Sequence, residues 1–357
     1  MSADIVLRSP AVLANAGEHV EDIDISPDGV VAVASVSGQV LTVALERGTD
    51  GGAVAGAPRI VRSHDGEAVR VRWSPDGSLL ASAGNDGILA LHRKDGELER
   101  ELQSRGWCGD VAWRPDGGEL AAAFGRTVLR LDPHDGSVRT HGPHAASVAC
   151  VIWREDAEEL GVAAGADVWW YGAEDAALSV MNGTGSAISV AVSPDGTWLA
   201  VGNQDASVHC WRLIGDPDEL AMSGFASKVS VLSWSADAEL LAVGTTSRIS
   251  VWNFTGLGPK GTEPIELTRH EGRTTVVAFG PAAGGAAELL ASGGSDRFLR
   301  LSSVRSASPA ALAEVAVPGV PSVLRWTPDG QGIVIGCEDG DVVHVPVVSG
   351  GAVRSAR

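Results

Sequence analysis

Nine histidines, four cysteines and 45 acidic residues are the side chains with which this chain would do acid–base, nucleophilic or metal chemistry. His134, His141 and His144 lie close together and come nearest to a metal-binding run. No cysteine or paired carboxylate joins them at a recognised ligand spacing. Asp22, Asp24 and Asp28 are spaced like the start of a calcium loop, but the Gly at the sixth place and the Glu at the twelfth are missing. Cys108, Cys150, Cys210 and Cys337 are far apart and include no Cys-x-x-Cys pair, so they read as small core residues of a reducing compartment. There is no Gly-x4-Gly-Lys-Ser/Thr phosphate loop and no Gly-x-Ser-x-Gly nucleophile elbow. His19, His64, His144 and His270 each precede an alternating run, and His92, His209 and His344 each lie inside one. The chain is therefore read as a non-enzyme, with no catalytic, cofactor or metal residue assigned.

The runs that carry these residues repeat. Ser26-Pro27-Asp28-Gly29 recurs as Ser74-Pro75-Asp76-Gly77, Arg114-Pro115-Asp116-Gly117, Ser193-Pro194-Asp195-Gly196 and Thr327-Pro328-Asp329-Gly330. Weaker copies stand at Arg154-Glu155-Asp156-Ala157, Ser235-Ala236-Asp237-Ala238 and Gly280-Pro281. From one second position to the next the steps are 48, 40, 40, 39, 42, 45 and 47 residues, which makes eight units filling the chain. A prior of two domains gives way to one array over residues 1–357. Within a unit, Val69-Arg70-Val71-Arg72-Trp73 alternates, Pro and Gly supply a turn, and a second run and an Asn85-Asp86-Gly87 turn follow. Four short strands cannot bury a core alone, so the units must pack radially. The Gly-rich stretches at 48–56 and 280–285 read as flexible connections, and Asp216-Pro217-Asp218-Glu219 as a solvated acidic loop.

Composition agrees. The 45 Gly, 17 Pro and single Tyr favour turns and short strands over long helices. With 27 basic and 45 acidic residues the net charge is −18, and such a field repels phosphates, so nucleic acid and anionic membranes are excluded as non-specific partners. Only Lys94, Lys228 and Lys260 are lysines, and the Ala/Gly/Arg-rich usage reads as that of a GC-rich bacterial source. A signal-peptide pattern and an apolar stretch of about 18 residues are both missing, so the expected location is cytoplasmic.

The motifs resemble the WD40 repeat family over essentially the whole chain. His64, Ser82 and Asp86 match its pattern in the second unit, and His270, Ser292 and Asp296 in the seventh. Asp205 and Trp211 match in the fifth, and Trp252 in the sixth, where Thr246 stands in the Asp place. His92 and Ser302 stand where the Trp would be in units two and seven, and no Trp is followed by Asp. The resemblance implies that these residues form a buried hydrogen-bonded network inside each blade, a structural role. It implies an all-β, closed propeller of four-stranded blades; seven is the family's commonest number, but the count of turns gives eight, with seven as the alternative. Asp4-Ile5-Val6-Leu7-Arg8 would close the last blade, and 350–354 is the other candidate for its fourth strand.

The family resemblance also implies a partner-binding face around the central channel. The position six residues before the last residue of each first strand gives a ring of His19, Glu67, Trp107, Ser147, Ser186, Lys228, Arg273 and Val320. The residues before the second-turn Asp add Asn85, Gln204, Ser295 and Glu338. Trp107, flanked by Arg105, reads either as an interface anchor or as a ring packed between blades. Of Trp169, Trp170 and Tyr171, one ring is expected in the inter-blade core and another at the surface. The expected function is a scaffold or adaptor for one or more proteins, with the acidic balance favouring a basic partner. The alternatives are a permanent subunit of a larger enzyme, defence or biosynthetic assembly, and an enzyme or metal-handling protein with a site in the channel. At least three acidic or histidine groups converging on the axis would favour that last reading.

Overall fold

The computed structural model describes residues 4–47, 53–154, 158–173, 176–245, 248–256, 258–267, 270–286, 288–305 and 311–350. The chain forms eight antiparallel sheets, one per sequence unit, arranged as the blades of a propeller. Blade 2 shows the plan: Ala68–Trp73, Leu79–Gly84, Ile88–Arg93 and Leu98–Gln103 pair in chain order. The innermost strands of successive blades touch, and Val20–Ile25 of blade 1 touches Pro321–Trp326 of blade 8, which closes the ring.

Local chemistry explains each blade. In the Ser-Pro-Asp-Gly turn the Ser hydroxyl donates to the Asp carboxylate, at 2.7 Å for Ser26–Asp28 and 2.6 Å for Ser74–Asp76. The same hydroxyl accepts the N–H that opens the next strand, Val30 or Leu79, at 2.9 Å. The Gly takes a left-handed φ, +71° at Gly77, which a Cβ disfavours. In blade 6 the equivalent residue is Ala238, held at φ 61°. Ala238→Gly is therefore expected to stabilise the protein by about 0.5–1 kcal/mol, read as a higher urea midpoint with unchanged slope.

Second strands such as Leu120–Phe124 and Leu160–Ala164 are buried throughout, because a neighbouring blade covers each face. Tryptophans at the ends of innermost strands tie blade to blade. Trp113 Nε1 donates to the Arg72 carbonyl at 3.1 Å, Trp153 to Ala112 at 3.0 Å, Trp234 to Ala191 at 3.2 Å and Trp326 to Ala278 at 3.1 Å.

The eight-bladed count holds, and Asp4–Leu7 pairs with Asp341–Gly350 of the last blade as expected, Leu7 opposite Val347. A second N-terminal strand, Ala11–Asn15, lies against the same partner, Ala11 opposite His344. Two expectations need correction. Ala53–Ala55 is not a flexible connection but a strand paired with Leu45–Arg47. Ala283–Gly285 forms one 3-10 turn. The acidic loop at 216–219 is largely exposed, as expected, with Lys260 on Asp218 at 2.6 Å and His209 on Glu219 at 2.6 Å. The weak turn at 155–157, Thr246 and the tail 351–354 lie outside the described residues.

Candidate functional site

Six blades repeat one backbone bond that defines a face. The N–H groups of Val36, Asn85, Gly125, Gln204, Ser295 and Glu338 donate at 2.8–3.2 Å to the carbonyls of His19, Glu67, Trp107, Ser186, Arg273 and Val320. The two sets of residues picked from the repeat are thus neighbours at one end of the channel. Nearby, seven of the eight innermost strands carry a bulge after their first residue, which re-aims the side chains that follow.

The face divides into two clusters. Trp107 is 49% exposed and shares a groove of about 450 Å³ with Asn85 and Asp86. Asn85 donates to Glu67 at 2.6 Å. Across the ring, His19, Lys228, Arg273 and Glu338 line a cavity of about 420 Å³ at the channel mouth. Arg273 meets Glu338 at 3.4 Å, and its N–H donates to the Ser295 hydroxyl at 2.9 Å. Gln204 lines neither cavity.

The within-blade networks are present in blades 2 and 7. His64 bonds Asp86 and Ser82, each at 3.0 Å, and His270 bonds Asp296 and Ser292, each at 2.9 Å. Burial lowers both histidine pKa values against the pull of their carboxylates. Burial opposes Asp296 ionisation, but Arg300 and His270 outweigh it and hold its pKa at about 2. In blade 5 the parts separate: Asp205 accepts from Ser207 at 2.6 Å, while Trp211 stacks on His209 at 3.9 Å. Of the aromatic triplet, Trp170 and Tyr171 are buried, and Trp169 is half-buried with its edge toward His144.

His92, in the Trp place of blade 2, is buried and held neutral, its pKa pushed down by burial to about 4. That lies below the unfolded value near 6.5, so its contribution is whole above pH ~6.5 and is lost as pH falls toward 4. His92→Leu is expected to shrink the drop in Tm between about pH 7 and about pH 4.5.

The channel holds a set of groups that spacing did not reveal. It is a cavity of about 640 Å³, lined on the blade 8, 1, 2 and 3 side by Arg325, Asp22, Arg70, Arg72 and Asp110, and on the other side mainly by apolar residues such as Ile152, Ile188 and Leu232. Asp22 is 3% exposed and accepts from Arg72, from Arg325 at 3.2 Å and from the Val71 N–H at 3.2 Å. Burial would raise its pKa, but these arginines outweigh it and lower it. Asp24 differs: burial wins there over Arg72 and raises its pKa. Asp110 pairs with Arg70 at 3.2 Å and accepts the Val151 N–H at 2.9 Å. Asp22, Asp110 and Glu21 do converge on the channel. Both aspartates are neutralised by arginine, an arrangement that ties blades together and leaves little negative charge for a cation. Among the described residues no three His, Cys, Asp or Glu side chains are grouped to hold a metal ion. No helix among them is long and apolar enough to cross a membrane.

This geometry has counterparts. The sequence model of the Gmad1 family, described as the lipoprotein LpqB beta-propeller domain, matches residues 2–92. The WD40 model, WD domain, G-beta repeat, matches residues 177–212. Among solved structures, the C-terminal WD40 domain of Sif2 superposes with a TM-score of 0.76 at 13% identity, covering 96% of this chain and 98% of that one. An identity that low speaks to fold alone. Repeat and ring together define an eight-bladed β-propeller, one unit of which matches the WD40 repeat model.

Proposed function

We propose that this chain is a cytoplasmic, non-enzymatic scaffold that presents its channel-mouth face to a protein partner. The observation that carries this reading is Trp107, half exposed beside a groove with Asn85 and Asp86. An open Trp supports an anchor role, because truncating such residues costs the most binding energy at interfaces. The net charge of −18 favours a basic partner at long range, with Glu67 and Glu338 as acidic contacts on the face itself. Arg273 and Lys228 would take acidic groups at the far side of the same footprint. The neutralised channel carboxylates weigh against the channel-site alternative.

The test is affinity capture of the tagged protein from its native lysate, quantified by mass spectrometry, beside the double variant Trp107→Ala, Arg273→Glu. A stoichiometric protein is expected with the wild type and at least about tenfold less of it with the variant. Full retention would move the interface to another face. Co-purification of only a metal or small molecule would overturn the scaffold reading.

A further inference from the structure

Seven innermost strands pair from their first residue and bulge directly after it, as Thr274 does opposite Gly294 and Pro321 opposite Cys337. Blade 6 starts differently: its pairing begins only at Val231, opposite Gly244, and shows no bulge. Residues 228–230 lead into that strand without joining it. Val229 is buried and fixed to blade 5. Its N–H donates to the Asn203 carbonyl at 3.0 Å, and its carbonyl accepts the Ser189 hydroxyl at 2.9 Å. Its neighbours Lys228 and Ser230 are exposed, and both line the cavity of about 420 Å³ at the channel mouth.

The donors of this cavity are available. Lys94 and Lys260 are held by Asp28 and Asp218, whereas Lys228 has no carboxylate partner among the described residues. The Ser230 hydroxyl is likewise unbonded among them. Arg273, its side chain 62% exposed, reaches one carboxylate, Glu338, at 3.4 Å. That is long for a charge-assisted bond of about 2.7–2.9 Å, and it leaves the other N–H groups of the guanidinium open. His19 lies 3.9 Å from Glu21, beyond hydrogen-bond distance, and keeps a ring N–H to donate. The hydroxyls of Thr275 and Ser322 are committed, to the Gly293 carbonyl at 3.1 Å and the Val20 carbonyl at 2.7 Å. Glu338 is the one carboxylate on the wall among the described residues, so the cavity has an excess of positive charge in a chain of net −18. A lysine, an arginine and two further donors exceed what a single carboxylate takes up. A phosphate monoester, with about −1.5 to −2 charges at pH 7 and three acceptor oxygens, matches them.

We propose that this cavity binds a phosphate monoester, supplied by a free phosphorylated small molecule or by a phosphorylated side chain of a protein. Lys228 and Arg273 hold the phosphoryl oxygens from blades 6 and 7, with Ser230 and His19 as further donors. The volume, within the range of about 300–1,000 Å³ for ligand pockets, admits the phosphoryl group and a small body. Only the second source rests on the scaffold reading; the site itself needs no partner protein and no contribution from Trp107.

The experiment is calorimetric titration of the full chain with two probes, glycerol 3-phosphate and the capped peptide Gly-phosphoserine-Gly. Glutarate and the unphosphorylated peptide are the controls. One-to-one binding of a phosphorylated probe is expected, at least about tenfold weaker in Lys228→Ala, which removes an exposed charge without disturbing packing. Glu338→Gln, which removes the competing carboxylate, is expected to bind more tightly than wild type. Glycerol 3-phosphate binding as well as the peptide or better assigns a free small molecule, and tighter binding of the peptide assigns a protein side chain. No binding of either phosphorylated probe, equal binding of a control, or unchanged affinity in either variant would overturn the proposal. The titration contains no partner protein, so its failure leaves the lysate capture untouched, and a failed capture leaves the titration untouched.

Discussion

Glu119→Ala is expected to lower the unfolding free energy by about 3–5 kcal/mol, the largest single loss anticipated for this protein. Glu119 is 6% exposed and stands just before the second strand of blade 3. Its carboxylate accepts from Arg130 and Arg139, and from Arg114 at 3.3 Å. Arg130 is 1% exposed, lies over the Trp153 ring at 5.0 Å, and donates with its other Nη to the Gly172 carbonyl. Arg139 donates to Ala173 in the same way, so one carboxylate aligns two arginines that clamp blade 3 to blade 4. Removing it leaves a guanidinium buried without a counter-charge, and that desolvation cost sets the magnitude. The double variant Glu119→Leu, Arg130→Met, which removes both charges, is expected to recover most of the loss. Urea midpoints followed by tryptophan fluorescence decide it. A single-variant loss under about 1 kcal/mol, within the range of an exposed pair, would show that the cluster is solvated.

Asp22→Ala is the second large effect, expected at about 2–3 kcal/mol. The discount from a fully buried pair reflects the channel, where the Arg72 and Arg325 side chains are 26% and 37% exposed. Asp22 belongs to blade 1, Arg72 to blade 2 and Arg325 to blade 8, so the carboxylate holds the closure seam from inside. Its folded pKa is below the unfolded 3.8. Its contribution is therefore present above pH ~3.8 and is lost as pH falls through the folded value. Wild type and variant should differ fully at pH 7 and converge in strong acid. Asp22→Asn should fall between them, since an amide oxygen can still accept the Val71 N–H. A gap that stays constant as the pH falls would show that lost packing, and not charge, explains the effect.

Both clusters were hidden in the sequence for the same reason. Glu119, Arg130 and Arg139 are near in the chain, yet what they grip is the backbone of blade 4 at Gly172 and Ala173. Asp22 and Arg325 are 303 residues apart, and nothing local marks them as partners. The Trp bonds between blades did leave a signal that could have been used. Tryptophan ends the innermost strand at Trp113, Trp153, Trp234 and Trp326, and each reaches a carbonyl 41 to 48 residues earlier, about one repeat.

The chain by itself determined the number of blades and their strand order, while the closing N-terminal strand was implied by the family resemblance. Blade count and strand order rest on local signals, a Ser hydroxyl on an Asp, a Gly at positive φ, alternation along a run, repeated along the chain. The tertiary structure alone decided whether Trp107 was open or packed and which arginine neutralises which aspartate. Those outcomes depend on burial and on charge pairing across blades. Such terms arise only when the ring closes and residues from its two ends come within bonding distance.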